Sequence, residues 1–281
     1  MNLESFKKFL NNAKSPLTKV EPVKVTFVEG LDKPDFLIIP KNGLTMIAGT
    51  GGVGKSFIAL HLAIRYAIAN PEKKVLLWLS EDPKGITAGR FKATWFSYYQ
   101  SKFKEKYGAI NNIDIVGNDT GVHSIDELNS KEIKELFDDY DFIVLDPLIS
   151  LAPTIETDAQ TARTFMNRLF FVAKDKDAIV VIHHVSKTTA EAVASASDPT
   201  DLYISGRGSS DITNATRVTY LVYKPSAKKE ENAEGIDIDL DTQRKAVLAK
   251  DNWGVRTIIG TDTLTLTIFP PASKSKSKSS K

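Results

Sequence analysis

Residues 49–56 carry the spacing of a phosphate-binding loop. They read Gly-Thr-Gly-Gly-Val-Gly-Lys-Ser, which fits the pattern G-x-x-x-x-G-K-S/T. Glycines let backbone N–H groups wrap a polyphosphate, and the N-terminus of a following helix adds its positive dipole end. The pattern predicts that Lys55 reaches the β- and γ-phosphates of ATP and that the Ser56 hydroxyl lies on Mg²⁺. The residues that we predict to bind nucleotide are Gly49, Thr50, Gly51, Gly52, Val53, Gly54, Lys55, Ser56 and Phe57.

Two carboxylates stand at the carboxyl ends of predicted buried strands. Asp146 ends the run 141–146 and is the predicted Walker B carboxylate, which holds Mg²⁺ through water. The next residue is Pro147, so the group that activates the attacking water must come from elsewhere. Glu81, just after the run 75–79, is the candidate for that general base. Its alternative role is to stabilise the helix behind it as a first-turn acid.

Two histidines and two arginines are further candidates. His183 and His184 follow the apolar run 178–182, where a side chain can contact the γ-phosphate and pass its presence to the following loop. The alternative is one packed histidine and one solvated histidine. Arg207 and Arg217 could each be an arginine finger supplied by a neighbouring subunit, a group worth roughly 10³–10⁵ in rate, or could form a plain salt bridge.

The apolar periodicity predicts the elements that must position these groups. Strands and helices alternate through residue 182 and a strand-rich end follows. This order indicates an α/β fold with a mainly parallel twisted sheet and an antiparallel C-terminal extension. Functional groups should then lie at the carboxyl ends of the parallel strands. The pattern also predicts a long helix over 85–106, a capping box at 124–127 that opens a helix to about residue 137, and a strand over 255–259.

The composition of the chain changes along its length. Residues 1–40, broken by four prolines, predict an arm that packs either on its own core or on a neighbouring subunit. Residues 41–271 form the predicted ATPase domain. The long polar stretch 186–203 predicts a functional or mobile loop. The Ser/Lys-rich tail, 272–281, predicts disorder.

The overall composition excludes several classes of protein. The 281 residues include no cysteine, which excludes disulfides, thiolate metal sites and a cysteine nucleophile, and we expect a cytoplasmic protein. No apolar run approaches the roughly 18 residues of a membrane span, and the charged N-terminus does not read as a secretory signal. The net charge is +2, but the four tail lysines leave 33 basic against 35 acidic residues, a net of −2, over residues 1–271. Any DNA binding therefore needs a local basic patch.

Assembled in this order, the residues resemble those of RecA/DnaB-type ATPases. More narrowly, the chain is similar over about residues 25–268 to the RepA-type hexameric replicative helicases of small mobilisable plasmids and their phage and chromosomal relatives. That resemblance implies a RecA-like P-loop core. The segments that carry it are Gly-Thr-Gly-Gly-Val-Gly-Lys-Ser at 49–56, Ser-Glu-Asp-Pro at 80–83, Val-Leu-Asp-Pro-Leu at 144–148, His-His-Val-Ser-Lys at 183–187, Gly-Arg-Gly-Ser-Ser at 206–210 and Lys-Asp-Asn-Trp-Gly at 250–254.

The resemblance implies a role for each candidate residue. It matches Glu81 with the acid that activates water and Asp146 with the Walker B carboxylate. It matches His184 with the sensor of the γ-phosphate. Arg217 would be the finger inserted into the adjacent subunit's site, and Lys250 would be a second cation that acts on the neighbour's nucleotide.

The resemblance also implies a partner, single-stranded DNA, held in the central channel of a homohexameric ring. The loops after Asp146 and His184 would face that channel. The stretch 188–203 contains no arginine. This reduces the contribution of counterion release to DNA affinity, which comes from basic side chains. The residues that would contact DNA are Ser186, Lys187 and Arg207.

We therefore expect a ring-forming, Mg²⁺-dependent ATPase that unwinds DNA in plasmid or phage replication. Two alternatives stay open because one fold serves several functions. The first is a RecA-fold recombination or annealing ATPase that binds single-stranded DNA with ATP but does not unwind duplexes. The second is a regulatory or assembly ATPase whose turnover does not need DNA.

Overall fold

A single eight-stranded sheet organises the chain. The computed structural model describes residues 3–14, 24–120, 124–156, 158–185, 210–225 and 239–271. Within these ranges the strand order is β3-β2-β4-β5-β1-β6-β7-β8. The strands are β1 (Leu44–Gly49), β2 (Val75–Leu79), β3 (Ile113–Gly117), β4 (Phe142–Asp146), β5 (Ala178–His184), β6 (Val218–Tyr223), β7 (Gln243–Asp251) and β8 (Thr263–Thr267).

Helices connect the parallel strands and cover the sheet. The α-helices are α1 (Leu3–Ala13), α2 (Lys55–Ala69), α3 (Lys84–Thr94), α4 (Gln100–Phe103), α5 (Ser130–Leu136), α6 (Leu148–Leu151), α7 (Ala159–Ala173), α8 (Ser210–Ala215) and α9 (Arg256–Ile259). A π-helical segment (Trp95–Tyr99) and 3₁₀ segments (Lys104–Asn112, Asn118–Thr120, Pro153–Glu156) complete the helical elements of the described ranges.

The sheet is parallel from β3 to β6 and antiparallel beyond it. β1 pairs in parallel with both β5 and β6, and β2 pairs in parallel with β3 and β4. β7 runs antiparallel to β6, and β8 runs antiparallel to β7. The predicted fold class, a mainly parallel α/β sheet with an antiparallel C-terminal extension, is confirmed.

Apolar side chains cover both faces of the sheet, as a central parallel sheet requires. Alternate residues of a strand point to opposite faces, so Val144 joins the core under α2 while Ile143 joins the core under α7. On the first face, Ile58 and Leu62 of α2 are fully buried. On the second face, Phe165 of α7 is equally buried. The strands that carry the candidate site are therefore held rigidly from both sides.

The second half of the N-terminal segment packs on the core of its own chain. Phe27 bridges Pro40, and Val28 N–H donates to the Ile39 carbonyl at 2.8 Å. The Tyr220 hydroxyl of β6 donates to the Ile38 carbonyl at 2.9 Å and accepts from the Ile38 N–H at 3.2 Å. The buried apolar residues of this segment are Val28, Leu31, Phe36, Leu37, Ile38 and Ile39.

The chain is helical throughout the range predicted for the long helix, 85–106, but the helix is not a regular α-helix. The helix is interrupted at 95–99, where the Gln100 N–H bonds to the Trp95 carbonyl and gives a π-helical turn. The wider turn lets Trp95 and Tyr99 both bury against Ile64 of α2, with 1% and 5% of their surfaces exposed. Burial of two aromatic side chains overrides the regular helical period here.

The capping box expected at 124–127 is also wrong, because Ser124 bonds to Asp126 instead. The box forms at Asn129, whose side chain accepts from the Glu132 N–H at 3.2 Å while the Glu132 carboxylate accepts from the Asn129 N–H at 2.8 Å. Helix α5 therefore begins at Ser130.

The strand expected over 255–259 is a short helix, α9. The Asp251 carboxylate accepts the Val255 N–H at 2.9 Å and the Arg256 N–H at 2.8 Å, which starts a helical turn. Gly260, at φ +71°, ends that turn in the left-handed region.

Several expectations fall on residues outside the described ranges. They concern the polar stretch 186–203 and the tail 272–281, together with the DNA candidates Ser186, Lys187 and Arg207. Among the helices that the structure describes, none has the length and apolar character needed to cross a membrane.

The Tyr220→Phe variant tests how much the hydrogen bonds between Tyr220 of β6 and Ile38 of the N-terminal segment contribute to stability. The substitution leaves the buried Ile38 N–H and carbonyl without their partner, so we expect the free energy of unfolding to fall by about 1–3 kcal/mol. Urea denaturation monitored by circular dichroism measures it. The matched control is Tyr140→Phe, which removes a hydroxyl bonded to Asp114 at an exposed site and should change stability by less than about 0.5 kcal/mol. Equal losses in the two variants would contradict this role for Tyr220.

Candidate active site

The phosphate-binding loop joins the carboxyl end of β1 to the N-terminus of α2. Gly52 and Gly54 adopt φ values of +75° and +101°, which a residue with a side chain rarely adopts. A Cβ on Gly54 would also lie 2.5 Å from the Ile268 side chain. By contrast, a Cβ on Gly51 or Gly52 would meet nothing within 4 Å. The loop is therefore closed toward the protein and open on the side where a phosphate would lie.

Lys55 is held inside this loop by its own backbone. Its ammonium donates to the Gly49 carbonyl at 2.9 Å and to the Thr50 carbonyl at 2.7 Å. Only 4% of the residue is exposed. Burial lowers the Lys55 pKa to about 8, although the charges of Asp146 and Glu81 oppose the shift. At neutral pH the side chain is therefore a cation at the bottom of the loop.

Asp146 ends β4 beside the phosphate loop and is 4% exposed. Burial raises its pKa to about 6, while the Ser56 hydroxyl and the Lys55 ammonium favour the carboxylate. Ser80, which follows β2, donates its N–H to the Asp146 carbonyl at 2.8 Å and so fixes the end of the strand. The structure thus brings the two predicted Mg²⁺ ligands, Ser56 and Asp146, together.

His184 ends β5 and lies between Lys55 and Glu81. Its Nδ1 is 3.3 Å from the Lys55 Nζ, and because an ammonium can only donate, Nδ1 accepts and the ring proton belongs on Nε2. Nε2 is 3.7 Å from the Glu81 Oε1, too far for a hydrogen bond. Burial and then the Lys55 charge lower the His184 pKa to about 4. The imidazole is therefore neutral at pH 7.

Glu81 reaches this cluster from the loop after β2. Its side chain is 60% exposed, which leaves the carboxylate in contact with water. His183, next to His184, is by contrast 5% exposed and lies within the sheet. The structure therefore brings Glu81, Lys55, Asp146 and His184 to one edge of the sheet, as predicted, and leaves their catalytic roles as predictions.

Two residues that support Glu81 were not found from the sequence. The Asn118 side chain donates to the Glu81 carbonyl at 2.8 Å, and its N–H donates to the Asp82 carbonyl at 3.1 Å. A Cβ on Gly117 would lie 2.7 Å from that same Asp82 carbonyl, so only glycine fits. Asp82 in turn forms an ion pair with Arg90 of α3. The available signal was the position of Gly117 and Asn118 at the carboxyl end of a parallel strand.

Phe57 is placed by aromatic contacts within its own chain. Its ring meets the Phe269 ring edge-on at a centroid distance of 4.9 Å, and the Arg90 guanidinium lies 5.8 Å from the Phe57 centroid. Only the backbone N–H of Phe57, in the first turn of α2, is available to a phosphate. The ring instead fixes α2 against the C-terminal segment.

Arg217 and Lys250 lie at the other edge of the sheet. Arg217 immediately precedes β6, and its N–H donates to the carbonyl of Leu44, the first residue of β1, at 3.1 Å. The phosphate loop starts at the last residue of β1, Gly49, roughly 16 Å away at the rise of a strand. The Lys250 ammonium donates to the Asn214 carbonyl at 3.0 Å. Neither cation is placed to reach the phosphate loop of its own chain.

The residues at the loop fit ATP and Mg²⁺. The open glycine loop and the first N–H groups of α2 suit a phosphate chain. A hydroxyl, Ser56, and a carboxylate, Asp146, are oxygen donors of the kind that Mg²⁺ prefers. The Nε2 of His184 is buried and has no hydrogen-bond partner among the described residues, so it can bond to a ligand.

A comparison with protein families identifies the chain. A family model described as an AAA domain (AAA_25) matches residues 28–190, more than half of the chain. The chain belongs to this AAA-domain family. A comparison with curated proteins finds no match.

The fold of this AAA-domain protein is similar to that of several solved structures. The ATPase domain of G40P matches at a TM-score of 0.55 with 16% identity, over 94% of this chain and 93% of that one. A DnaB-like replicative helicase, described with its interactions with primase, matches at 0.55 with 15% identity, over 89% of this chain and 66% of that one. The flagellar accessory protein FlaH of Methanocaldococcus jannaschii matches at 0.53 with 15% identity, over 88% of this chain and 96% of that one.

These findings confirm part of what the sequence predicted. At such low identity the structural likeness shows the fold alone, which is that of RecA-like ATPase domains. Together with the phosphate loop, the family match identifies the chain as an AAA-domain P-loop ATPase, and its fold is like that of RecA-like ATPase domains.

The buried charge of Asp146 makes stability depend on pH. The carboxyl binds its proton more tightly in the folded state (pKa about 6) than in the unfolded chain (3.8), so ionisation destabilises the fold as pH rises through this window. In EDTA without nucleotide, Asp146→Asn should therefore raise the free energy of unfolding by about 1–3 kcal/mol at pH 7.5. The gain should shrink to about half at pH 5.

Urea denaturation at pH 7.5 and pH 5 checks this expectation. The control variant is Glu105→Gln, which neutralises an exposed acid and should leave stability within about 0.5 kcal/mol of wild type at both pH values. A loss of stability in Asp146→Asn at pH 7.5 would contradict the burial cost that we assign to the carboxylate.

Proposed function

We propose that the protein is an ATP-driven helicase or translocase that acts as a ring-shaped homo-oligomer, most simply a hexamer, on single-stranded DNA in plasmid or phage replication. The observation that carries the proposal is the division of the charged groups between two edges of the sheet. Glu81, Lys55 and His184 lie at the phosphate loop, whereas Arg217 and Lys250 lie at the opposite edge. A ring lets the second edge of one subunit meet the first edge of the next.

In the proposed mechanism each side chain near the loop has a separate task. Lys55 leaves the carbonyls of Gly49 and Thr50 and moves onto the phosphates. Glu81, which is exposed to water, orients the attacking water and accepts its proton. Arg217 from the adjacent subunit neutralises charge that develops in the transition state. Ser56 and Asp146 would hold Mg²⁺, which supplies further neutralisation of the phosphate charge.

His184 would report the state of the site. The neutral imidazole accepts a hydrogen bond from Lys55, so movement of Lys55 onto phosphates would free Nδ1. The change would pass directly to the segment that follows β5, where Ser186 and Lys187 are proposed to contact DNA together with Arg207. ATP hydrolysis would thereby drive movement of that segment along the strand.

The remaining parts of the proposal concern assembly and location. We propose that helix α1 contributes to contacts between subunits, since Leu3 and Leu10 are 68% and 50% exposed and could pack on a second copy. Residues 41–271 form the proposed ATPase domain, and 272–281 its disordered tail. The chain has no cysteine, which fits a cytoplasmic location.

One second function has an observation in its favour. The fold is also similar to that of FlaH, described as a flagellar accessory protein, and residues 1–271 carry 33 basic against 35 acidic residues. These facts favour a regulatory or assembly ATPase, whose nucleotide state would control binding to protein partners. Its hydrolysis would not depend on DNA.

The role of Glu81 is tested by Glu81→Gln. We expect ATP binding to be retained and kcat to fall by about 10²–10⁴, because the amide cannot accept the proton of water. Steady-state phosphate release and equilibrium binding of a fluorescent ATP analogue measure the two properties. Lys55→Ala should lose binding and turnover together, whereas Glu127→Gln, at an exposed acid, should behave as wild type. Normal turnover in Glu81→Gln would remove Glu81 as the base.

The function itself is tested by strand displacement on a forked DNA duplex. We expect the isolated wild-type oligomer to displace the annealed strand only with ATP and Mg²⁺. The Glu81→Gln variant should bind single-stranded DNA but should not displace the annealed strand. Binding of single-stranded DNA without displacement by wild type would favour the recombination or annealing ATPase. An ATP turnover rate that does not change when DNA is added, at any of several salt concentrations, would favour the regulatory ATPase.

A further inference from the structure

Arg217 is a half-buried arginine that immediately precedes β6. Its backbone is fixed on both sides, by its N–H bond to Leu44 at 3.1 Å and by the Asn252 N–H that donates to its carbonyl at 2.9 Å. Among the described residues, no carboxylate forms an ion pair with its guanidinium. Asp251, the cross-strand partner of the adjacent Val218, uses its carboxylate to accept three backbone N–H groups of its own loop. The guanidinium is therefore held by something other than an opposite charge.

The group that holds it is the ring of Phe170 on helix α7. The guanidinium carbon of Arg217 lies 4.7 Å from the Phe170 ring centroid, within the range of a cation–π contact. The Lys174 ammonium lies 5.3 Å from the same centroid. Phe170 is itself anchored, because it is partly buried against the core that contains Leu169 and Phe165. A ring fixed in this way restricts the directions that the arginine can take.

An aromatic support has a consequence that a salt bridge would not have. A carboxylate partner would occupy the N–H donors of the guanidinium, whereas a ring face contacts its π surface and leaves the donors free. A planar, oriented guanidinium with free donors suits bidentate contact with a phosphate. The arrangement at Arg217 is therefore that of a cation prepared for an anion that the described residues of its own chain do not supply.

We propose that Phe170 is a positioning residue for ATP hydrolysis, which holds the Arg217 guanidinium in the direction needed to enter the neighbouring subunit's site. The inference rests on the proposed function, because it takes Arg217 as the trans-acting finger. In this proposal Phe170 acts on Arg217 and not on the nucleotide. Phe170 restricts the orientations of the Arg217 guanidinium in advance. This lowers the conformational entropy cost of ordering the guanidinium in the transition state.

The test compares three substitutions at neighbouring positions of α7. Phe170→Leu keeps an apolar side chain but removes the ring face, and we expect kcat for ATP to fall about two- to fivefold with KM nearly unchanged. Phe170→Trp keeps a ring face and should retain most of the wild-type kcat. Phe171→Leu, at a phenylalanine that is 56% exposed, should leave kcat unchanged. Thermal melting of all three variants checks that the fold is retained.

A mixing experiment separates positioning of the finger from damage to the variant's own site. Phe170→Leu subunits have an intact Glu81, so adding Glu81→Gln subunits, which carry an undamaged finger, should raise turnover per Phe170→Leu subunit. No rise in verified mixed oligomers, or a Phe170→Trp variant as slow as Phe170→Leu, would overturn the inference. If Phe170→Leu matches wild type while Arg217→Ala abolishes turnover, the inference fails and the proposed function stands. If Arg217→Ala is fully active, the trans-acting finger fails and this inference fails with it.

Discussion

The parallel register of β1 with β5 and β6 fixes where each charged group of the site can lie. Gly49 at the end of β1 faces His184 of β5, while Thr45 near its start faces Val218 of β6. A shift by one residue would turn every side chain of a strand to the other face of the sheet, so the buried cores on both faces hold this register. The phosphate loop and its acids consequently share one edge, and Arg217 lies at the other.

The end of the sheet beside the phosphate loop carries buried charges, and burying them is costly. Lys55 and Asp146 are both almost fully buried. Burial lowers the pKa of Lys55 and raises the pKa of Asp146, and both shifts favour the neutral form of the side chain. The carbonyls of Gly49 and Thr50 accept hydrogen bonds from the Lys55 ammonium. These buried charges therefore lower the stability of the folded state, as is common at functional sites with shifted pKa values.

The sequence predicted those features that depend on local patterns. Apolar runs located the parallel strands, and glycine spacing located the loop that holds Lys55, because both signals lie within a few consecutive residues. It did not predict the π-helical turn at 95–99, since that turn exists to bury aromatic residues against another helix. Nor did it predict the contacts of Asn118 and Phe170, which are made with residues 37 and 47 positions away. Such contacts are determined by the assembled fold, and no pattern of consecutive residues specifies the partner.

The proposed function requires each catalytic site to be shared between two subunits. The most direct measurement is ATP turnover in mixtures of Arg217→Ala and Glu81→Gln subunits, each of which should be nearly inactive alone. In a mixed oligomer, an intact Glu81 of one subunit can meet an intact Arg217 of its neighbour. We expect turnover to rise with mixing to a maximum at intermediate ratios. Turnover that stays at the level of the separate variants, in oligomers verified to contain both, would contradict it.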